Sequence, residues 1–391
     1  MFRHTIPIGR IFGITIELDY TWFLIFGLLT WLLAVSYFPV EYKGWSTGEY
    51  WLIAAGTSLL LFVSVLLHEL GHSIVAGRYG TRVPRITLFI FGGVSQMAAE
   101  PDNPAAEFWI AIAGPVVSFA LAALCWEIEP LFSFSQPLFA LVEYLALINL
   151  VLGVFNLVPG FPLDGGRVFR AIVWRATGRF HRATVIAGVT GRFFGFFFIF
   201  GGVWMALSGQ FFNGLWIAFI GWFLESAASS QIQQEAMKHL LGDHTVREAM
   251  SHDFPEVPGD ISLQELVDKH ILAGGGRSFV VSHGNGSAGM ITLAGIRAIP
   301  REVWSTTNAS QVMIPVEKLH TVLPDAQLWT AMEKMGRDGV NQLPVIGHDG
   351  LIGMLSREDI VHYLRVLQAL GRLGYDECGS VPGTAGTAER S

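Results

Sequence analysis

The sequence predicts a polytopic α-helical membrane protein, with about six transmembrane helices and small membrane-associated β elements, joined to a soluble α/β module. Three observations carry this fold class. Mean hydropathy is +0.46 and only 15% of the 391 residues are charged, a balance that soluble chains rarely reach. Apolar segments of near-spanning length recur through the first 225 residues. Beyond about residue 226 that character ends, and two similar runs of helix, strand, turn, strand and helix follow.

The first apolar segment, 20–38, is uncharged and long enough to cross a bilayer. Others occupy roughly 51–67, 105–126, 138–158, 193–207 and 211–224, and the second extends to Gly77 if its polar groups face the protein interior. Only Ser208, Gly209 and Gln210 separate the last two, so a tight helical pair or a partly re-entrant segment competes with two full spans. The first 20 residues lack a removable signal core, which leaves the later segments to direct the chain to the membrane.

Net charge is −7, which excludes the polybasic surface that would favour nucleic acid. Cys125 and Cys378 are the only cysteines, too few for a disulfide framework or a cysteine-built zinc site. Basic residues set the topology: Arg78, Arg82 and Arg85 follow the second segment, and Arg167, Arg170, Arg175, Arg179, Arg182 and Arg192 follow the fourth. The 39–50 loop and the stretch with Glu127 and Glu129 are poor in Lys and Arg. The former are therefore expected in the cytoplasm with both termini, and the latter outside.

The chemistry lies in Leu67-His68-Glu69-Leu70-Gly71-His72. On a helix, His68 and His72 at i and i+4 share a face and can offer two nitrogens to one zinc, with the Glu69 carboxylate beside them. A polar helix end at the interface is the competing reading. Within an apolar helix, however, two imidazoles and a carboxylate without partners are costly.

A third ligand has to come from the same membrane depth. The second and fourth segments run in the same direction, so Asp164, just beyond the fourth, qualifies. It closes Asn156-Leu157-Val158-Pro159-Gly160-Phe161-Pro162-Leu163-Asp164-Gly165-Gly166, where prolines and glycines interrupt helix and can turn a carboxylate inward; a turn with a surface aspartate is the alternative. Two histidines and one aspartate leave a fourth position for water, as in catalytic rather than structural zinc sites. Glu69 is then placed as general base and proton donor. Asn156 is the candidate oxyanion donor, although it can equally make an interhelical hydrogen bond, and Asn149 is the competing polar residue.

On these residues the chain resembles the prokaryotic site-2 proteases, zinc metalloproteases that cut transmembrane substrates. The likeness covers residues 1 to 225. It implies one Zn(2+) per chain on His68, His72 and Asp164, catalysis by Glu69, and a role for Asn156 in holding substrate or stabilising the intermediate. It further implies a membrane-embedded protein substrate, regulated intramembrane proteolysis, and the plasma membrane of a prokaryote. The alternating segment 85–98 breaks at Gly92-Gly93 and reads as a hairpin beside the site. Its position matches the family's strand region proposed to pin an extended substrate, a role that competes with a purely structural one. Ala113-Gly114-Pro115 resembles another family motif, with Ser118 where an asparagine often stands.

The soluble repeat places strands at 278–282 and 288–292 in one half and at 342–346 and 351–355 in the other. It resembles a tandem pair of CBS domains, modules that commonly bind adenine nucleotides. Gly353-Met354-Leu355-Ser356-Arg357-Glu358-Asp359 matches the nucleotide pattern, which implies phosphate contact by Ser356 and ribose contact by Asp359. In the first half Gly289-Met290-Ile291-Thr292 matches in form, but Gly295 stands at the aspartate position, so one cleft for ATP, ADP or AMP is expected. A homodimer through the CBS domains and a structural, non-binding module are the related expectations.

The expected organisation is a protease domain over 1–230, a linker over 231–245, the CBS pair over 246–372 and a disordered tail over 373–391. The rival functions are a CBS-regulated membrane transporter and a non-catalytic membrane scaffold. Neither gives His68, Glu69, His72 and Asp164 a common purpose.

Overall fold

The computed structural model describes residues 5–90, 92–97, 100–273, 278–283, 286–347 and 350–369. The expected tail over 373–391 lies outside the described residues. The chain divides into two units, Met1–Glu235 and Ala236–Ser391.

Among the described residues of the chain, six helices are long and apolar enough to cross a membrane: Thr21–Glu41, Thr47–Arg78, Pro104–Phe132, Gln136–Asn156, Phe180–Leu207 and Phe211–Gly242. They are named the first to sixth spans in that order. The second starts at a capping box between Ser46 and Glu49 and runs through the His-Glu-His motif to Arg78. The third starts behind Asn103, whose side chain accepts from the Ala106 amide at 2.8 Å. A separate amphipathic helix, Asp164–Thr177, follows the fourth span and ends at Gly178 in the left-handed conformation.

The fifth and sixth spans are separate helices, and glycine explains how closely they pair. A Cβ on Gly202 would overlap the backbone of Gly214 and Ala218, and one on Gly195 would come within 2.8 Å of the Glu225 backbone nitrogen. Gly188, Gly195 and Gly202 recur at sevenfold spacing, so they form one stripe along the fifth span that lets the backbones touch. The sixth helix does not stop at the membrane unit but continues to Gly242, through most of the expected polar linker.

A four-stranded sheet lies against the second and third spans. Its strands β1 (Thr5–Ile11), β2 (Ile14–Asp19), β3 (Arg85–Phe89) and β4 (Gly92–Gln96) are ordered as numbered. β1 and β2 form a hairpin through Phe12 and Gly13, both left-handed; β2 and β3 run parallel, and β3 and β4 form the expected hairpin. Alternation turns Ile14, Ile16 and Ile86 onto Leu70, Ala76, Ala106 and Ile110. β4 is therefore an edge strand beside the motif of the second span.

In the second unit, β5 (Glu256–Pro258), β6 (Ser278–His283), β7 (Gly286–Thr292) and β8 (Ile314–Pro315) make one sheet, and β9 (Gln342–Gly347) with β10 (Gly350–Ser356) makes another. The repeat extends to its edges. β5 pairs parallel with β6 as Val322 does with Val345, and β8 pairs antiparallel with β7 as Ser251 does with Met354. The segment before the first half therefore completes the second. Each half has its own apolar core, one around Leu263, Leu266 and Ile291, the other around Leu328, Leu343 and Leu355.

Candidate metal centre

The second span presents His68 and His72 on one face, both 4% exposed, because i and i+4 positions lie one above the other on a helix. Gly71 between them has a packing reason. A Cβ there would meet Val117 Cγ2 at 2.8 Å and the Ala113 carbonyl oxygen at 3.1 Å, so glycine lets the third span approach.

Asp164 is the first residue of its helix, and the preceding turn folds tightly to put it there. Cβ atoms on Gly165 and Gly166 would collide with the backbone of residues 157–158 and 160–161, and one on Gly160 would strike the Gly191 backbone of the fifth span. Phe161 also donates its amide to the Ala187 carbonyl at 3.3 Å. Further along, Arg170 pairs with Glu107 of the third span through two nitrogens, Nε at 2.6 Å. Its guanidinium lies over the Phe161 and Phe180 rings at 5.1 and 4.6 Å. Arg170, read from sequence as a cytoplasmic basic residue, is thus a buried clamp between the Asp164 helix and the third span.

These elements bring three ligand atoms into one triangle. His68 Nε2 is 3.0 Å and His72 Nε2 3.1 Å from Asp164 Oδ2, and the two nitrogens are 3.2 Å apart. A tetrahedral zinc with bonds of about 2.0–2.1 Å has ligand atoms about 3.3 Å apart, so two imidazoles and a carboxylate in this triangle fit such an ion. The outer ring nitrogens are also engaged. His72 Nδ1 lies 2.7 Å from the Ile110 carbonyl oxygen and His68 Nδ1 2.8 Å from Ser118 Oγ. Protons on both Nδ1 atoms leave both Nε2 lone pairs for the metal. Gly114 completes the cradle, since a Cβ there would run into both imidazoles.

Glu69 follows His68 on the same helix and is held by the hairpin. Ser95 of β4 donates to its Oε2 at 2.9 Å, and Gly93 is small where a Cβ would press on the Glu69 side chain. Asn156 donates to the Leu152 carbonyl of its own helix at 3.0 Å, while buried Asn149 reaches across to Ser64 Oγ at 3.1 Å. The interhelical bond thus falls to Asn149. Arg167, one turn after Asp164, has its guanidinium 3.8 Å from Met97 Sδ. Burial pulls this group below its ordinary range, with Asp164 and Glu107 acting the other way.

Ser356 and Asp359 lie in the second unit. Ser356 donates to Asp359 Oδ2 through its amide at 2.7 Å and its hydroxyl at 2.6 Å. Ser356 lines a cavity of about 680 Å³ between the halves, with Thr292, Lys318, His320 and Gln342. Asp359 lines a smaller adjoining cavity of about 180 Å³ that also includes Ser356. In the first half, Thr292 Oγ1 accepts from the Gly295 amide at 3.2 Å, with no carboxylate at that position.

The family model for peptidase family M50 matches residues 56–133 and 132–201, and the CBS domain model matches residues 309–366. Rip3 of Mycobacterium tuberculosis, whose name describes a zinc metalloprotease, is 32% identical over 369 residues, 93% of this chain and 94% of that protein. The similarly named sll0528 of Synechocystis is 31% identical over 370 residues, 94% of this chain and 97% of its own length. Among solved structures, a site-2 protease from Methanocaldococcus jannaschii is 31% identical, with a TM-score of 0.41 over 59% of this chain and 95% of that one. The chain belongs to the M50 zinc metalloprotease family and carries a C-terminal CBS-domain pair.

Proposed function

We propose that the chain is an intramembrane zinc endopeptidase that hydrolyses a peptide bond in or near a transmembrane segment of a membrane protein. The observation that carries this reading is the 3.0–3.2 Å triangle of His68, His72 and Asp164 beside Glu69, with both histidines and the glutamate on an apolar span. Zinc held by those three side chains supplies a Lewis acid that acidifies water and polarises a carbonyl. Glu69 takes a proton from the attacking water as its oxygen bonds to the scissile carbon, then delivers that proton to the amide nitrogen as the C–N bond breaks. Ser95 orients the Glu69 carboxylate, and Asn156 is assigned the developing oxyanion. An unwound substrate strand fits the free edge of β4, which brings its carbonyls past Glu69.

The test uses purified protein with a transmembrane peptide substrate. About one zinc per chain is expected by elemental analysis, retained in Glu69→Gln and depleted in Asp164→Ala. Loss of the base is expected to slow cleavage roughly 10²- to 10⁴-fold. Wild-type rates in both variants, with contaminating protease excluded, overturn the assignment. Asn156→Ala is expected to lose about 10²-fold in kcat with zinc retained. Metal-free wild-type protein with transport activity points instead to the transporter.

For the remaining organisation we propose a protease domain over 1–230 and a CBS pair over 246–372, in the plasma membrane of a prokaryote with both termini cytoplasmic. The pair is assigned a regulatory adenine nucleotide and a homodimer contact. The cavity volume is in the range of small-molecule sites, and Lys318 and Arg357 bring positive charge to it. Calorimetry with ATP, ADP and AMP against wild type and Asp359→Ala, paired with cleavage assays, tests this. No binding, or binding without a change in cleavage, removes the regulatory role.

A further inference from the structure

The helix that begins at Asp164 carries two arginines on successive turns, and their surroundings differ. Arg170 has an oxygen partner on each nitrogen, Glu107 on Nε and Nη2 and Thr184 Oγ1 on Nη1 at 3.4 Å, and its guanidinium lies over the Phe161 and Phe180 rings. Arg167 is i+3 from Asp164 and shares its face. Among the described residues its guanidinium has one hydrogen-bond partner, Met97 Sδ at 3.8 Å, with the Asp164 and Glu107 carboxylates acting on it only at longer range, and thioether sulfur is a weak acceptor. A guanidinium carries five donors and a permanent charge, so a partly buried one without oxygen partners is costly unless a ligand brings them.

Position indicates which ligand. Met97 follows β4 directly, and two residues earlier Ser95 holds the Glu69 carboxylate. The guanidinium and the base thus flank the same few residues of the edge strand. A peptide laid along that edge exposes carbonyl oxygens, of which the strand's own amides satisfy only alternate ones. Unsatisfied carbonyls are expensive at membrane depth. Acidic side chains are rare in spanning segments, so backbone carbonyls are the acceptors such a substrate supplies most regularly.

We propose that Arg167 is a substrate-binding residue whose guanidinium donates to backbone carbonyl oxygens of the peptide segment lying along β4 beside Glu69. This rests on the intramembrane protease reading. It gives the arginine a role distinct from metal ligation and from proton transfer. Lysine at this position keeps the charge but loses the planar fork that can hold two carbonyls at once.

The experiment uses full-length protein in nanodiscs and a fluorescent transmembrane peptide without Asp or Glu, so that only backbone oxygens can answer the guanidinium. In the Glu69→Gln background, adding Arg167→Gln is expected to weaken peptide binding roughly 10- to 100-fold, as lost hydrogen bonds to a charged group predict. Arg167→Lys is expected to fall between. In the active background the same factor is expected in KM, with kcat changed less than about threefold and zinc content unchanged. Unaltered peptide affinity in folded Arg167→Gln overturns the proposal. So does loss of zinc without loss of peptide affinity, which makes the residue a support for Asp164. If Arg167→Gln does not fold, wild-type affinity in Arg167→Lys overturns the two-carbonyl contact. Failure of the wild type to cleave at all strikes the protease reading instead, while the binding arm still reads Arg167 by itself.

Discussion

The fifth span of the membrane unit and the C-terminal unit bury opposite residues. Along the fifth span the buried positions are Ala183, Thr184, Ala187, Gly188, Gly191, Gly195 and Gly202, while Phe197, Phe200, Trp204 and Leu207 are at least 63% exposed. In the C-terminal unit Leu263, Leu266, Leu328, Met335, Leu343 and Leu355 are wholly buried. Lipid is as apolar as leucine, so in the spans large side chains gain little by turning inward, and close packing of small residues holds helices together. In water, removing large apolar surface is the main driving force. A substitution should therefore act differently according to which surroundings its site has.

The sharpest break of this comparison uses adjacent glycines. Gly202→Leu forces a side chain into the backbone of the sixth span, whereas a Cβ on Gly201 meets nothing within 4 Å. The first is expected to separate the helix pair and abolish a monodisperse folded protein on size-exclusion chromatography, and Gly201→Leu to leave it intact. Equal behaviour of the two refutes the backbone-contact account.

Next in size is the buried ion pair. Arg170→Met leaves Glu107 uncompensated and is expected to cost about 3–5 kcal/mol, much of it recovered in Arg170→Met with Glu107→Leu. Thermal unfolding of the single and double variants measures the difference, and an additive double variant contradicts the pairing. In the C-terminal unit, Ile291→Val removes one buried methylene and is expected to cost about 0.5–1.5 kcal/mol, read as a lower unfolding midpoint.

The smallest effect lies at the C-terminal surface. Tyr363, then His244, hydrogen bond to Glu248 and bring its carboxyl from an ordinary 4.5 down to about 2. Because the folded value is the lower one, this stabilisation is full above pH about 4.5 and is lost as pH falls toward 2. The side chain is 43% exposed, so the contribution is a fraction of 1 kcal/mol. The gap in thermal midpoint between wild type and Glu248→Gln is expected to narrow on acidification through that window; a gap independent of pH contradicts it.

What could be read in the sequence follows the range of the interactions. His68 and His72 declare themselves through i, i+4 spacing, and Asp164 through the prolines and glycines that precede it. The β3–β4 hairpin is local and was legible in its alternation. The β1–β2 hairpin was not, because Pro7 and Gly9 break the pattern and its place depends on parallel pairing with β3, some 70 positions away. Arg170 looked like one more basic residue of a cytoplasmic loop, and its partner Glu107 is 63 positions distant. Ser118 shows its role only once the third span brings its hydroxyl to His68. Neither local periodicity nor composition encodes such pairings.

The crossed strand pairing of the C-terminal unit has a mechanical consequence. The helix of the sixth span ends at Gly242, Leu241 already sits in the core with Val246, Leu343 and Leu355, and Ser251 bridges to Met354. Tension applied along that helix therefore enters the later half of the repeat first, bypassing the 70-odd residues between Ser251 and Val322. Within the C-terminal unit the half carrying Ser356 is later in chain order but is the first to meet the incoming chain, and a truncation that removes it takes away the core that buries Leu241.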